Sequence, residues 1–263
     1  MKQPKVGIIG YGMVGKAVGA WFKNAAIYSL HQYADGIEKV NQSDVIFLTV
    51  PTPYNAKTGY DLSALEDATK KITGRKIVVL KSTVLPGTTI DLQRRYPKHT
   101  WLFNPEFLRD KTNIWDFLHA DRQIVGMARN TAAHRKAAKL VMRMLPKAPY
   151  EAITTSTEAE VIKLGANCFL ATKVVFSNML FDLCVRLGAD YEAVRGGVGN
   201  DPRITTSMTK VLQDGYRGYS GKCFPKDMGA LIWYGKKTKH PFPLLKVADS
   251  INWKLLPKKY RQR

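Results

Sequence analysis

Cysteine is scarce in this sequence. Its 263 residues include only three, Cys168, Cys184 and Cys223, and an odd number argues against a disulfide framework. Cys168 and Cys184 stand about 24 Å apart on one predicted helix, at the usual rise of ~1.5 Å per residue, which is too far for a disulfide. We therefore interpret both as small core residues in a reducing compartment.

Long apolar runs are also missing. No run reaches the roughly 18 residues that a membrane-spanning helix needs. The N-terminus enters a structured motif within a few residues, which leaves no room for a secretory signal. We expect a cytoplasmic protein that has no membrane partner.

Acidic side chains are few compared with basic ones. There are 41 Lys and Arg residues against 21 Asp and Glu residues, a net charge of +20. Such a surplus attracts anions, among them nucleic acid and phosphorylated substrates. Residues 236–263 carry nine of these cations against Asp249 alone, and this segment's role stays open. Because no zinc-finger or RNA-binding aromatic pattern accompanies the charge, nucleic acid is not the expected partner.

Short apolar runs alternate with amphipathic segments in the first half of the chain, which predicts βαβ units and a parallel sheet. After about Tyr150 we expect no further strand. A long helix is predicted at Thr157–Leu187, with Thr157 as N-cap and Glu160 completing a capping box. The fold class is therefore α/β, with a Rossmann-like domain at 1–150 and an all-helical domain at 151–263. The predicted strands cover 5–9, 26–31, 44–50, 76–80, 101–103 and 123–126, and the predicted helices include 61–72 and 131–144.

A glycine motif follows the first predicted strand. It reads Gly10-Tyr11-Gly12-Met13-Val14-Gly15 and leads into a helix. In such a turn Gly10 allows the tight bend, Gly12 lets a pyrophosphate approach the backbone, and Gly15 lets helix and strand pack closely. The helix N-terminus then offers N–H groups to the phosphates. The motif predicts a bound dinucleotide.

The end of the second predicted strand normally carries an acid that binds the adenosine ribose. This chain offers His31 and Gln32 there, and Asp35 slightly later. We include His31 and Asp35 among the cofactor contacts. NAD is favoured over NADP because no arginine stands at this position to receive a 2′-phosphate.

Cys223 stands in Gly218-Tyr219-Ser220-Gly221-Lys222-Cys223-Phe224-Pro225-Lys226-Asp227. Pro225 suits the first helical position, which places Cys223 just before a helix N-terminus. The helix dipole and the neighbouring lysines favour the thiolate, which is the nucleophilic form. Lys163 and Asn167 are spaced i, i+4 on the long helix, so they share a face and could stabilise an oxyanion.

These motifs resemble the UDP-glucose/GDP-mannose dehydrogenase family from end to end of the chain. Besides the glycine turn and the cysteine segment, the resemblance rests on three further motifs and one residue pair in family order. These are Val50-Pro51-Thr52-Pro53, Lys81-Ser82-Thr83-Val84 with Pro86-Gly87-Thr88, Asn104-Pro105-Glu106-Phe107-Leu108-Arg109-Asp110, and Lys163 with Asn167.

The resemblance implies a role for each matching residue. Cys223 resembles the nucleophile, Asp227 and Glu106 resemble groups that handle the catalytic water, and Lys163 and Asn167 resemble the pair that stabilises charge on oxygen. Thr83 resembles a residue near the nicotinamide. The implied cofactor contacts are Tyr11, Met13, Val14, Val50, Pro51, Thr52, Thr83 and Asp110, together with the three glycines. The implied substrate contacts are Glu106, Phe107, Leu108, Lys163, Asn167, Arg203, Tyr219 and Gly221, and no metal is implied.

The resemblance implies two successive hydride transfers to NAD, which convert the C6 alcohol of UDP-glucose, or of a related nucleotide sugar, into a carboxylate. It also implies a homodimer formed through the long helix, in which Arg203 reaches the neighbouring subunit's hexose. The sequence departs from the family pattern at Asp110, where glutamate is usual, and at Ser220, where glycine is usual. We expect a short form without the family's C-terminal UDP-binding domain.

Two other functions remain open from the sequence. One is a catalytically silent binding module that recruits a partner through its basic tail, and five intact catalytic positions speak against it. The other is a two-domain hydroxyacid dehydrogenase, which shares this architecture but does not need Cys223.

Overall fold

The protein forms two compact units. A computed structural model describes residues 4–30, 35–213 and 215–261. The first unit contains the described residues up to Pro53 together with Tyr60–Lys163. The second contains Tyr54–Gly59 and the described residues from Leu164 onward.

A seven-stranded sheet forms the centre of the first unit, in the order β2-β1-β3-β6-β7-β8-β9. The remaining strands form two small two-stranded sheets, β4 with β5 and β10 with β11. The strands are β1 (Val6–Ile9), β2 (Ala26–Tyr28), β3 (Val45–Leu48), β4 (Tyr54–Asn55), β5 (Gly59–Tyr60), β6 (Ile77–Leu80), β7 (Thr100–Phe103), β8 (Arg122–Met127), β9 (Tyr150–Thr155), β10 (Leu212–Gln213) and β11 (Tyr216–Arg217).

The helices lie between and after these strands. They are α1 (Met13–Trp21), α2 (Ile37–Val40), α3 (Ser63–Lys70), α4 (Thr88–Arg95), α5 (Asn113–Leu118), α6 (Ala132–Met144), α7 (Ser156–Leu187), α8 (Tyr191–Gly199), α9 (Phe224–Lys237) and α10 (Pro243–Leu255). Two short 3-10 turns occupy Asp110–Thr112 and Lys258–Tyr260.

The central strands are apolar along their whole length because helices cover both faces of a parallel sheet. Strand β3 is buried at every position, and Leu48 pairs in register with Leu80 of β6, which in turn pairs with Phe103 of β7. The Rossmann-like α/β class is confirmed. Three details differ from the sequence expectation. Strand β8 runs antiparallel to β7, and β9 adds a strand after the point at which strands were expected to stop. Strands β10 and β11 form an antiparallel pair within the part of the chain that was expected to be all-helical.

The start of α7 also differs from expectation. The capping box is formed by Thr155 and Glu158. The Glu158 N–H donates to the Thr155 hydroxyl at 3.3 Å, and the Thr155 N–H donates to the Glu158 carboxylate at 2.9 Å. The predicted box of Thr157 and Glu160 is wrong, because Glu160 turns into the protein. There its carboxylate accepts the Gly87 N–H at 2.6 Å and the Thr89 N–H at 2.9 Å.

The core of the second unit is built from α7, α9 and α10, with Cys168, Val174, Met228, Leu245 and Ala248 among its buried residues. Cys168 and Cys184 are both buried and unpaired, as expected. By length and composition alone, α7 is apolar enough to cross a membrane. Cys168, Ala171, Val174 and Val175 are buried in this core, which accounts for one apolar side of the helix.

The burial of Glu160 makes the stability of the fold pH-dependent. Desolvation raises the pKa of its carboxyl to about 7, although hydrogen bonds from Thr89 and Gly87 oppose the shift. Because the folded pKa lies above the unfolded one, this group's contribution to stability falls as the pH rises from about 4.5 to about 7. In Glu160→Gln the amide side chain that replaces the carboxyl does not titrate. We expect its free energy of unfolding, measured relative to wild type by urea denaturation, to improve by about 3 kcal/mol between pH 4.5 and pH 8.

Glu158→Gln is the matched control, because Glu158 also caps a helix but is exposed and has a lowered pKa. The difference in free energy of unfolding between Glu158→Gln and wild type should stay constant from pH 6 to pH 8. If Glu160→Gln and wild type gave parallel curves, the ionisation of Glu160 would not be coupled to folding.

Candidate active site

The glycine turn between β1 and α1 has the geometry that dinucleotide binding needs. Gly10 has a φ of +92°, and a Cβ there would lie 2.8 Å from the Thr49 carbonyl oxygen. A Cβ on Gly15 would lie 2.2 Å from the Gly10 carbonyl oxygen, so helix and strand pack too closely for any side chain. A Cβ on Gly12 would meet nothing within 4 Å.

Gly12 is also the N-cap of α1, and no side chain caps this helix. Its first turn includes Met13 and Val14 and contains no acidic residue. The helix N-terminus therefore combines N–H groups that no side chain caps with open space beside Gly12, an arrangement that suits a pyrophosphate. Tyr11 lies within the turn, and its ring packs beside Gly19.

The loops that follow β3 and β6 are tied together at the carboxyl edge of the sheet. The Thr52 hydroxyl donates to the Thr83 carbonyl at 2.7 Å, and the Ser82 hydroxyl donates to the Val50 carbonyl at 2.7 Å. The predicted cofactor positions Val50, Pro51, Thr52 and Thr83 thus form one connected segment. Ligands of open α/β sheets bind at this edge.

The predicted ribose contacts receive less support from the geometry. Asp35 does reach back to the second strand, where its carboxylate accepts the Ile27 N–H at 3.0 Å and the Lys39 ammonium at 2.8 Å. Each oxygen can accept a further bond, so the contact of Asp35 with the ribose stays a prediction. His31 lies outside the described residues. Asp110 begins an exposed 3-10 turn on the first unit.

A buried ion pair lies at the carboxyl edge of β7. The Lys163 ammonium donates to the Glu106 carboxylate at 2.7 Å, and the two side chains are only 4% and 6% exposed. Burial raises the pKa of Glu106, but Lys163, the Leu108 N–H and the charge of Lys81 together hold it below its usual range. Glu106 is therefore a carboxylate at neutral pH.

Phe107 and Leu108 extend this part of the site. The Arg122 guanidinium lies 3.7 Å from the centre of the Phe107 ring, and the Lys163 ammonium lies 5.7 Å from it. The Leu108 N–H donates to the second oxygen of Glu106 at 2.8 Å. Glu106, Phe107, Leu108 and Lys163, all predicted substrate contacts, therefore form a single cluster.

In the second unit, Cys223 is the N-cap residue of α9, immediately before the helix as predicted. Pro225 is the second helical residue rather than the first. The Asp227 carboxylate is buried in the first turn, where it accepts the Asn167 amide at 2.6 Å and the Lys226 ammonium at 2.5 Å. Asp227 and Asn167, both predicted catalytic residues, are thus in direct contact.

The loop before Cys223 is fixed by its own contacts. The Tyr219 N–H donates to the Asn252 side chain at 2.7 Å, and its hydroxyl donates to Asp249 at 3.1 Å. Gly221 has a φ of +82° and open space around it. The Ser220 hydroxyl bonds to the Tyr216 hydroxyl at 2.5 Å, which gives this departure from the family pattern a structural partner.

Arg203 lies apart from these clusters. Its guanidinium is 87% exposed and pairs with Asp201 at 2.6 Å. An exposed arginine of this kind is available to a second molecule, but its predicted contact with a neighbouring subunit's hexose stays a prediction.

Lys81 belongs to one of the family motifs, but the sequence alone indicates no role for it. The structure buries its ammonium, which donates to the Asn104 side chain at 2.6 Å. Burial lowers the pKa of Lys81 to about 7; the Glu106 charge raises it and the Lys163 charge lowers it. One feature of the sequence does point to it. Lys81 directly follows a fully apolar strand, at the carboxyl edge of the sheet where ligands of α/β proteins bind.

The fold and the glycine turn define an NAD-binding Rossmann-like protein. Sequence comparison then identifies its family. Residues 22–145 match the profile described as UDP-glucose/GDP-mannose dehydrogenase family, NAD binding domain, and residues 157–254 match that family's central domain. The chain belongs to the UDP-glucose/GDP-mannose dehydrogenase family, which confirms the resemblance and NAD as the cofactor.

Individual relatives agree with this assignment. UDP-glucose 6-dehydrogenase YwqF of Bacillus subtilis is 36% identical over 222 residues, covering 80% of this chain and 49% of the relative. The Rhizobium meliloti UDP-glucose 6-dehydrogenase is 36% identical over 226 residues, covering 81% of this chain and 51% of the relative. The chain therefore spans about half the length of the curated relatives it matches.

Solved structures show the same fold. The UDP-glucose dehydrogenase of Pyrobaculum islandicum superposes with a TM-score of 0.83 at 28% identity, covering 95% of this chain and 68% of the other. The GDP-mannose dehydrogenase of Pseudomonas aeruginosa has a TM-score of 0.66 at 22% identity, covering 95% of this chain and 69% of the other. This second similarity concerns the fold alone.

The glycine turn gives a paired prediction. Gly12→Ala should fold normally, because its methyl group meets no atom, yet bind NAD more weakly, because the methyl occupies the space before the helix N-terminus. Gly15→Ala should lower the free energy of unfolding by about 3 kcal/mol, because the methyl collides with backbone. Urea denaturation and calorimetric NAD titration measure the two effects. A Gly12→Ala variant that binds NAD as tightly as wild type would contradict the assigned pyrophosphate position.

Proposed function

We propose that this protein is an NAD-dependent nucleotide-sugar 6-dehydrogenase that oxidises the C6 alcohol of a hexose to a carboxylate, with UDP-glucose as its substrate and UDP-glucuronate as its product. The observation that carries the proposal is the position of Cys223 at the N-terminus of α9, with Asp227 bonded to Asn167 in the first turn of that helix. Hydroxyacid dehydrogenases do not need this cysteine.

The chemistry requires a nucleophile because an aldehyde cannot release its remaining C6 hydrogen as hydride until a nucleophile adds to that carbon. In this proposal the first oxidation removes a hydride from C6 and a proton from its hydroxyl, which leaves an aldehyde. The Cys223 thiolate then adds to that carbon, and the carbonyl oxygen takes up a proton to give a thiohemiacetal. Loss of a second hydride together with that hydroxyl proton gives a thioester, which water cleaves into the carboxylate and the thiol. NAD, when bound, accepts each hydride.

Other side chains of the predicted set have the chemistry that the remaining steps need. N–H groups at the N-terminus of α9 favour negative charge on Cys223. Lys163 and Asn167 carry donors that stabilise charge on oxygen. Glu106, held ionised, and Asp227 can each accept a proton from the attacking water. Thr83 belongs to the segment of predicted cofactor contacts and would lie near the nicotinamide. These roles come from the family resemblance and are part of the proposal.

We also propose that the protein acts as a cytoplasmic homodimer formed through α7. Four apolar side chains lie on one exposed stripe of this helix at spacings of seven and four residues. They are Phe169, Phe176, Leu183 and Leu187, which are 73%, 61%, 50% and 72% exposed. A helical stripe of this kind is typical of a surface that a partner helix covers. The three cysteines are thiols, which fits a reducing compartment.

The catalytic proposal is tested by the ratio of NADH to sugar. With UDP-glucose, wild type should yield two NADH for each uronate. Cys223→Ser should yield no more than about one and release no uronate, because serine is a far weaker nucleophile without an activating base. Cys184→Ser, which changes a buried cysteine of the core, is the control and should keep the ratio of two. Normal uronate yield from Cys223→Ser would remove the cysteine from the mechanism, and an absence of NADH from a panel of nucleotide sugars would refute the proposed activity.

The dimer is tested by charge insertion. Phe176→Glu should convert the protein to a monomer by light scattering, because it places a carboxylate in the apolar stripe. Val185→Glu is a matched control on the same helix, since Val185 is 62% exposed but points away from the stripe. A monomeric wild type, or equal effects of the two substitutions, would refute the stripe as the interface.

A further inference from the structure

Lys81 occupies a place in the sheet that brings it beside the Glu106–Lys163 ion pair. It directly follows β6, and Asn104 directly follows the adjacent parallel strand β7, where the Asn104 N–H donates to the Leu80 carbonyl at 2.9 Å. Two residues further along, the same segment carries Glu106. The lysine side chain is only 2% exposed.

The Lys81 ammonium is held in place. It donates to the Asn104 side-chain oxygen at 2.6 Å and lies 3.4 Å from the Asn104 carbonyl. The Asn104 amide is itself fixed, because its nitrogen donates to the Ile124 carbonyl at 2.7 Å. The Phe117 ring, 5.3 Å away, closes another side of the ammonium. The cluster therefore keeps the Lys81 amino group at a defined position in the interior.

Three ionisable groups act on one another at this point. Lys81 comes from the end of β6, Glu106 from the segment after β7, and Lys163 from α7, and each lysine charge lowers the pKa of Glu106. Arg122 is nearby over the Phe107 ring, and its own charged neighbour is Asp121. With both lysines protonated, the group of three carries one net positive charge.

This surplus cation matters when Lys163 leaves Glu106. In the proposed reaction Lys163 stabilises charge on a substrate oxygen, and its ammonium cannot remain fully committed to Glu106 at the same time. A buried carboxylate that loses its partner cation is strongly destabilised or takes up a proton. A second cation nearby prevents either outcome.

We propose that Lys81 is a positioning residue that serves as the reserve counter-ion of Glu106, keeping this carboxylate ionised while Lys163 turns to the substrate. The inference rests on the proposed function for its catalytic meaning. The electrostatic interaction between Lys81 and Glu106, however, does not depend on that function.

The direct test is an NMR titration of the glutamate carboxyl carbons, with the Glu106 resonance assigned from Glu106→Gln. In Lys81→Met, which keeps the chain length but removes the charge, the Glu106 midpoint should move upward by about one pH unit or more. Lys81→Arg should restore the wild-type midpoint. The buried Glu160 has no such lysine among its bonded partners, so its midpoint should not move. An unchanged Glu106 midpoint in folded Lys81→Met overturns the proposal.

If Lys81→Met does not fold, the reciprocal measurement decides. Loss of the carboxylate in Glu106→Gln should lower the titration midpoint of Lys81, read from its ε-carbon, by a similar amount, because coupling between two sites is mutual. An unchanged Lys81 midpoint refutes the pairing.

The pH dependence of kcat tests the catalytic part of the proposal. In Lys81→Met the acid limb of the kcat profile should move to higher pH while KM stays within about twofold, which a merely structural lesion would not produce. Normal turnover with an unshifted limb would overturn the catalytic role. Should wild type oxidise no nucleotide sugar, the proposed function fails, whereas the titrations still decide whether Lys81 is the counter-ion.

Discussion

The buried ion pair between Glu106 and Lys163 is the interaction on which the candidate site of the first unit depends. It joins the segment after β7 to α7 at 2.7 Å, and both partners are almost completely buried. Removing one partner of such a pair typically costs about 3–5 kcal/mol, because the other charge is left unpaired in the interior. The pair therefore ties the second turn of α7 to the segment that carries Phe107 and Leu108.

The first turns of α7 explain how one helix can serve this purpose. Within eight residues it places Glu158 in a capping box at the surface, Glu160 on the N-terminus of α4, and Lys163 on Glu106. Each bond satisfies a group that would otherwise be costly to bury or to leave uncapped. These three polar anchors lie within six residues, fewer than two turns of the helix, and point to different partners.

The sequence predicted the parts of the fold that depend on local pattern. The runs at 76–80 and 101–103 became β6 and β7, and the glycine turn has the strand, bend and helix that its spacing indicated. The position of Cys223 before α9 followed from Pro225 in the same way. These features are specified by residues close together in the chain.

Features that depend on long-range contacts were missed. Glu160 fits a capping box by spacing, and only its contact with Thr89, far away in sequence, shows why Glu158 takes that role instead. The reversal of β8 cannot be read from its composition, because an apolar strand looks the same in either direction. The role of Lys81 could not be predicted, because Lys81 and Glu106 are far apart in sequence and interact only in the folded sheet.

The two buried glutamates of the first unit show how folding assigns different chemistry to the same side chain. Glu160 is bonded by neutral donors, and burial raises its pKa to about 7. Glu106 is buried to a similar degree, yet two lysines hold its pKa below the usual range. Glu106 is therefore a carboxylate at neutral pH, as its proposed role requires, whereas the Glu160 carboxyl titrates near neutrality. Both residues are glutamates in sequence of ordinary composition, so nothing local distinguishes them. The lysines that lower the pKa of Glu106 come close to it only when β6, β7 and α7 pack together.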